Sequence, residues 1–246
     1  MATTGQLGAL IAVGSTSFVE KLPSGNIIKR PWPTQDCIHE RRRELAIESR
    51  IYDLLGPHAC LVNKISWDPK EYVLELEFMP NGTVRDYIRA DGGIPLDQRL
   101  KWIEQAAEGV HLLHASDIVH CDIGPRNFLL DADLNLKICD FSGSSIGGSS
   151  TQVLAGARYT SPAHDCEYPV PESDIFALGS TIYFIMTGGS PFGDMASLEV
   201  TDRFQALDFP SLEGILCGDI IHRCWHGQIE SAAKVARLIR ELACEY

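Results

Sequence analysis

IVHCDIGPRNFLL, residues 118–130, sets His120, Asp122 and Asn127 on a short loop between two apolar runs, and its reading decides the fold. A lone aspartate beside Gly124-Pro125 reads as a turn residue, but the amide of Asn127 follows it on the same loop. The text on either side is regular. Downstream, FLLD and NLKICDF form a short hairpin around ADLN (132–135) that ends in Asp140-Phe141-Ser142, followed by a loop rich in Ser and Gly over 142–150. Upstream, TVRDYIRA (83–90) and DQRLKWIEQAAEGVHLLHA (97–115) have helical spacing, and the chain from Ser173 onward is mostly helical.

The first part of the chain differs in character. Residues 7–30 read as strands, LGALIAV, FVEKL and IIK, with Pro23-Ser24-Gly25-Asn26 as a hairpin turn. Residues 36–55 switch to helical spacing, with Ile47, Ile51, Leu54 and Leu55 on one side, and Gly56-Pro57 ends that helix. CLVNKISW (60–67) and YVLELEFM (72–79) are two more strands, and Pro80-Asn81-Gly82 breaks the pattern. A strand-rich part joined by one short link to a helical part is a bilobal α+β plan with its cleft at the link.

Composition is compatible with that plan. The 246 residues sit at the upper end of what one core fills, so one domain, or two lobes sharing a cleft, is expected. A net charge of -12 argues against general affinity for nucleic acid or an anionic membrane. The eight cysteines (37, 60, 121, 139, 166, 217, 224 and 244) form no C-x-x-C pair, so reduced thiols in a cytosolic protein are expected, with neither zinc nor disulfides. MATTGQLGALIAVGS lacks the basic start of a signal peptide. IFALGSTIYFIM (175–186) is too short to span a bilayer and suits a buried helix.

Taken in order, these residues resemble the protein kinase family over nearly the whole chain. The family's motifs are a Gly-rich loop, a strand lysine, a helix glutamate, H-R-D with an Asn five residues after the Asp, and D-F-G. This sequence has AVGSTSFV (12–19), Lys29, Glu48, His120-Cys121-Asp122 with Asn127, and Asp140-Phe141-Ser142. The resemblance implies a small antiparallel N-lobe sheet with one helix (1–78), a hinge (79–82) and a larger, mostly helical C-lobe (83–246). It implies transfer of the γ-phosphate of ATP, with Mg²⁺, to a protein hydroxyl. Asp122 would receive the hydroxyl proton, and Arg126 would steady the γ-phosphate as in tyrosine kinases. Asn127 and Asp140 would ligate Mg²⁺ through oxygen. Lys29 would reach the α- and β-phosphates, held by Glu48, with Glu44 one turn earlier as a rival partner.

The nucleotide pocket implied by the resemblance comprises Ile11, Gly14, Val19, Ile27, Leu76 as gatekeeper, backbone groups of Glu77 and Met79 facing adenine, Leu129 as floor, and Cys139. Asp174 would open the buried central helix. Several positions depart from the family pattern. Ala12 and Ser17 replace two glycines of the phosphate loop, Ile27 narrows the adenine roof, and Ser142 stiffens the metal turn. Cys121 replaces the arginine that receives an activation-loop phosphate, so phosphorylation there is not required by the usual route; a redox role for the thiol is an alternative. Ala163 and Ala232 stand where the family pairs a glutamate with an arginine, and losing both leaves a coherent apolar junction.

Arg126, ARYTSP (157–162) and Cys224-Trp225 resemble the tyrosine-kinase-like branch, and the wording of 120–145 resembles short fungal kinase-like proteins described as serine/threonine kinases. Ser or Thr is the expected acceptor, with Tyr as alternative. Two other readings remain in play: a kinase-fold scaffold protein with weak or no nucleotide turnover, and a small-molecule kinase. The segment from Asp140 to Pro162 reads as a protein-substrate platform, which favours a protein substrate. A regulatory protein partner, no nucleic-acid or membrane partner, and a cytoplasmic location with nuclear access left open complete the expectations.

Overall fold

The structure, a computed structural model, describes residues 8–34, 37–90, 93–151, 153, 155–165 and 167–245. Leu7 of the first expected strand, Asp36 at the head of the expected helix and the thiol of Cys166 lie outside the described residues.

The N-terminal part builds one antiparallel sheet from β1 (Ala9–Val13), β2 (Ser17–Lys21), β3 (Ile27–Pro31), β4 (Lys64–Asp68) and β5 (Val73–Leu76), in the order β1-β2-β3-β5-β4. The turn between β2 and β3 closes as its residues demand: the Leu22 N–H donates to Asn26 O at 2.8 Å, and Gly25 takes φ 96°, a conformation that favours glycine. Between β3 and β4 runs α1 (Ile38–Leu55), ended by Gly56 at φ 66°, whose N–H donates to Tyr52 O. Its buried face is Leu45, Glu48, Ser49, Ile51 and Tyr52, while Leu54 is 53% exposed. The face expected from apolar spacing is therefore rotated. Glu48 is drawn inward by a lysine, and Leu54 rides on the rim.

Two expected strands are shorter than their apolar runs. Cys60, Leu61 and Val62 are buried because they lie on the C-terminal part: the Ile138 N–H donates to Cys60 O at 2.8 Å and the Val62 N–H to Ile138 O at 3.3 Å. Strand pairing starts only at Lys64, and β5 stops at Leu76, before Glu77-Phe78-Met79.

The C-terminal part contains α2 (Val84–Ala90), α3 (Leu96–Ala115), β6 (Ile118–Val119), β7 (Phe128–Leu130), β8 (Leu136–Ile138), β9 (Ser145–Ile146), a 3₁₀ turn (Ala157–Tyr159), α4 (Pro171–Thr187), α5 (Ser197–Gln205), α6 (Gly218–Trp225) and α7 (Ala232–Ala243). β7 and β8 are the expected hairpin. β9 lies in the Ser/Gly stretch expected to be a loop, and pairs antiparallel with β6. α4 begins at Pro171, where a fixed φ and a missing N–H suit the first helical position. It is buried on nearly every side, which explains an apolar run without helical periodicity. Among the described residues no helix is long and apolar enough to cross a membrane.

α4 packs on α6 at Gly179, where a Cβ would stand 2.7 Å from Cys224 Cβ, and Trp225 Nε1 donates to Ser180 Oγ at 3.0 Å beside it. Gly179→Ala is expected to lower stability by about 1–3 kcal/mol through overpacking, read as a lower urea midpoint at unchanged m. The apolar junction expected of Ala163 and Ala232 does not form. Ala232 is buried at the head of α7, but Ala163 is exposed. Its turn is held instead by Ser161, whose Oγ accepts from the Ala163 N–H at 3.3 Å and lies 2.9 Å from His164 Nδ1.

Candidate active site

Three charged side chains from three separate elements meet at the mouth of the cleft. Lys29 Nζ, on β3, donates to Glu48 Oε2 of α1 at 2.7 Å and to Asp140 Oδ1 beyond β8 at 2.6 Å. The Lys29 and Glu48 side chains are 10% and 1% exposed, the Asp140 side chain 43%, so the pair toward α1 is dry and the pair toward Asp140 is open to solvent. Glu44, the rival partner, makes no ion pair with Lys29. One of its carboxylate oxygens is buried without a hydrogen bond, and burial pushes its pKa up.

Burial alone would lower the Lys29 pKa, but the carboxylates of Asp140 and Glu48 outweigh it and raise it. For Asp140 burial opposes ionisation, yet Lys29 prevails and holds the carboxyl at about 2. Both groups are therefore ionised at neutral pH. Asp140 sits at φ 67° and accepts from Ser142 Oγ at 3.0 Å, so the serine in place of glycine closes the turn onto the carboxylate. Phe141 is buried, with ring centroids 5.0 Å from Tyr52 and 5.5 Å from His120. Tyr52 lies one turn after Glu48 on α1, so Phe141 links the position of the helix to that of Asp140.

The loop between β6 and β7 is held by a buried carboxylate from α4. Asp174 accepts from the His120 N–H at 2.7 Å and the Cys121 N–H at 3.0 Å, and lies 3.0 Å from His114 Nε2. Asp174 was expected only to open the central helix; it also fixes the loop. On that loop Arg126 donates to both Asp122 oxygens, at 2.6 and 2.7 Å, and Asn127 Nδ2 donates to Asp122 O at 2.7 Å and Oδ2 at 2.9 Å. The amide oxygen of Asn127 is thereby left for another partner. Apolar periodicity could not reveal the Asp174 network, but an acid within an otherwise apolar helical run is a signal that could have.

Cys121 takes φ 70° and its thiol donates to Val119 O at 3.2 Å. Burial and the Asp174 charge push the thiol up to about 12, away from the thiolate that redox chemistry uses. With iodoacetamide at pH 8, the exposed Cys37 and Cys244 are expected to be alkylated well before Cys121, as read by peptide mass spectrometry of partially labelled protein.

Around the cleft, Val19 pairs with Lys29 and Lys21 with Ile27, so Val19 and Ile27 share the sheet face of Lys29. Both are half-buried, as are Leu129 on β7 and Cys139, while Ile11 on the edge strand β1 is 46% exposed. Leu76 and Met79 are buried. The backbone of Glu77, expected to face adenine, is engaged in part elsewhere. Its N–H is taken by Asn63 O at 2.9 Å, and its carboxylate accepts from the Asn63 N–H at 2.9 Å and Lys137 Nζ at 2.5 Å. The Glu77 carbonyl and the Met79 N–H are among several backbone groups of residues 77–81 that have no backbone partner among the described residues.

Gly14 does not adopt a positive φ. Its N–H donates to Ser17 O at 2.8 Å, and a Cβ there would approach that oxygen to 3.2 Å. The loop is also clamped by a residue missed in the sequence: Trp32 Nε1 donates to Gly14 O at 3.0 Å and the Trp32 N–H to Thr16 O at 3.3 Å. A tryptophan between two prolines at a strand end is the signal that was available.

Two lobes, a lysine–glutamate pair under a glycine-bearing turn, and an Asp-Asn loop facing an acidic turn define a class of protein. Residues 31–243 match the protein kinase domain model, and the chain belongs to the protein kinase family. That match begins after Lys29, so the Gly14 turn and the lysine are placed by the geometry described above. The chain is 27% identical over 202 residues to a carbon catabolite-derepressing protein kinase of Secale cereale, covering 76% of this chain and 40% of that protein. It is 29% identical over 199 residues to a probable serine/threonine-protein kinase of Dictyostelium discoideum (77% and 21%). It is 30% identical over 182 residues to the serine/threonine-protein kinase PrkC of Bacillus subtilis (72% and 28%). The chain thus matches well under half the length of these relatives.

Proposed function

We propose that the chain is an ATP- and Mg²⁺-dependent protein kinase acting on serine or threonine. The observation that carries this reading is the assembled charge relay of Lys29, Glu48 and Asp140, with both contacts below 3 Å. Lys29 is placed to bind the α- and β-phosphates, and Glu48 keeps it aimed.

The donors available to a metal are the carboxylate of Asp140 and the amide oxygen of Asn127, a hard oxygen set that suits Mg²⁺. Mg²⁺ supplies neutralisation of phosphate charge when bound. Asp140, ionised down to about pH 2, needs no proton loss to serve as its ligand. Asp122 accepts the proton of the substrate hydroxyl. Arg126, now paired with it, holds the carboxylate in one orientation and is the cation nearest the departing phosphate charge. Adenine is bound between Ile11, Val19 and Ile27 above and Leu129 and Cys139 below, with the Glu77 carbonyl and Met79 N–H at its edge and Leu76 behind. Gly14 and its Trp32 clamp set the height of the phosphate loop.

The kinase domain extends from 1 to 246 in this reading, with 1–78 as N-lobe, 79–82 as hinge and 83–246 as C-lobe. The named activities of the relatives support Ser/Thr over Tyr, while the Arg126 spacing and Cys224-Trp225 support kinship with the tyrosine-kinase-like branch, and the wording of 120–145 supports likeness to short fungal kinase-like proteins. A protein substrate, a regulatory protein partner and a cytoplasmic location follow as part of the same proposal. The test is incorporation of labelled γ-phosphate from ATP and Mg²⁺ into the protein itself and into a mixed protein extract, with phosphoamino-acid analysis of the product. Phosphoserine or phosphothreonine is the expected label. No incorporation by folded protein at millimolar ATP would move the reading to a kinase-fold binding protein.

A further inference from the structure

The loop that carries Asp122 is bordered by arginines from three elements: Arg126 on the loop itself, Arg85 and Arg89 on α2, and Arg158 on the 3₁₀ turn. Arg85 and Arg89 share a helix face, about 6 Å apart along the axis. The Arg85 N–H donates to Pro125 O at 3.1 Å, so α2 is seated on the loop next to Arg126. The 3₁₀ turn is seated there too. A Cβ on Gly124 would stand 3.8 Å from the Tyr159 ring, whose hydroxyl oxygen lies 3.3 Å from Ser190 Oγ. Burial raises the pKa of Tyr159, against the Ser190 hydrogen bond and the charges of Arg126, Arg158 and Arg89, so three cations stand near one ring.

Their charges are not all neutralised. Arg85 Nε pairs with Asp86 Oδ1 at 3.0 Å, and Arg126 pairs with Asp122. Arg158 Nη2 donates to Phe192 O at 2.8 Å and to Met195 O, backbone groups without net charge. Arg89 is exposed, with its guanidinium 6.0 Å over the buried Phe184 ring, and it pairs with no carboxylate among the described residues. On the loop, α2, the 3₁₀ turn and residues 190–195, these four arginines face three acids: Asp86, Asp122 and Asp194. Asp194 is exposed and forms no ion pair among the described residues. Asp122 and Arg126 belong to the reaction, so the cation left for another molecule is Arg89. A positive border is a local exception in a chain of net charge -12.

We propose, resting on the reading of the chain as a protein kinase, that its substrates carry acidic residues beside the acceptor hydroxyl and that Arg89 selects them. With the hydroxyl at Asp122, an extended segment places its neighbouring side chains about 3.3 Å further on per residue, over the corner where α2 meets Pro125. There a carboxylate gains a charge-assisted hydrogen bond from Arg89, in the field of Arg158. A lysine in its place meets like charge. Arg89 is a specificity residue: it touches the flanking side chain and takes no part in proton or phosphate transfer.

The test compares synthetic peptides that differ only in the residues on both sides of one serine, which are Asp, Ala or Lys. For labelled phosphate transfer by the full chain, kcat/KM is expected to fall in that order, by roughly tenfold or more from Asp to Lys, with the gap narrowing at high salt. Arg89→Gln is expected to raise KM for the Asp peptide roughly tenfold and to leave the Ala peptide unchanged. The Asp-to-Lys ratio is taken within one protein sample, so partial unfolding of a variant does not move it. Transfer with equal kcat/KM on Asp and Lys peptides, or with the same ratio in Arg89→Gln, would overturn the inference and leave the kinase reading standing. A fluorescein-labelled Asp peptide with Ala in place of its serine, read by anisotropy, separates the opposite case. Binding that Arg89→Gln weakens, without phosphate transfer to any peptide or extract, would keep Arg89 as the acid-selecting residue and overturn the kinase reading. Neither transfer nor Arg89-dependent binding would overturn both.

Discussion

Asp122→Asn is expected to remove about 10²–10⁴-fold of the rate of phosphate transfer, the share that a positioned general base contributes. The substitution keeps the shape of the side chain and one oxygen, but loses the site that receives the hydroxyl proton. It also sets an amide N–H₂ against a donor, because Arg126 donates to both Asp122 oxygens and Asn127 to one of them. The loop must therefore shift slightly as well. Nucleotide binding is expected to survive, since Lys29, Glu48 and Asp140 are untouched. The comparison is made with labelled ATP for transfer and with thermal shift for binding, where a ligand at 100 times its dissociation constant stabilises by about 2.7 kcal/mol in wild type and variant alike. A variant that transfers phosphate at the wild-type rate would remove Asp122 from the role given to it.

The parts of this site that could be read in the sequence are those whose chemistry depends on residue type at a fixed spacing. Asp122 and Asn127 stand five apart on one loop, and the hairpin that follows ends in Asp140 because FLLD, ADLN and NLKIC have strand and turn composition. Lys29 was legible as the lysine of a strand after a hairpin turn, and the resemblance named Glu48 as its partner while leaving Glu44 as a rival. Glu44 and Glu48 lie on one helix face, and only the packed position of α1 against β3 selects the second. β9 was invisible because two residues carry no periodicity; Ser145 and Ile146 pair with β6 only once the loop is anchored from elsewhere. The same is true of Glu77, whose N–H is claimed by Asn63 across a contact that no local pattern encodes. Long-range polar contacts were the common omission, and they are what position the legible residues.

Asp174 makes that dependence measurable. Asp174→Ala is expected to destabilise the chain by about 2–6 kcal/mol, from two buried backbone donors at about 1–3 kcal/mol each. The donors are the N–H groups of His120 and Cys121, and His114 loses its acceptor at the same time. Urea unfolding reads the change as a lower midpoint. Asp174→Asn keeps one accepting oxygen and presents a donor in place of the other, so an intermediate cost is expected. The distinction from an ordinary core defect is in the loop. His120 and Cys121 directly precede Asp122, so a freed backbone there displaces the carboxylate, and a misplacement of about 1 Å is enough to cost roughly 10²-fold in rate. Gly179→Ala, a packing defect in the same helix about one turn and a half further on, is expected to lower stability while leaving the rate of the folded fraction nearly intact. If both variants lost rate only in proportion to unfolding, Asp174 would be a core residue that happens to be charged. If Asp174→Asn loses rate beyond its loss of stability, the buried carboxylate is what holds the loop in its working shape.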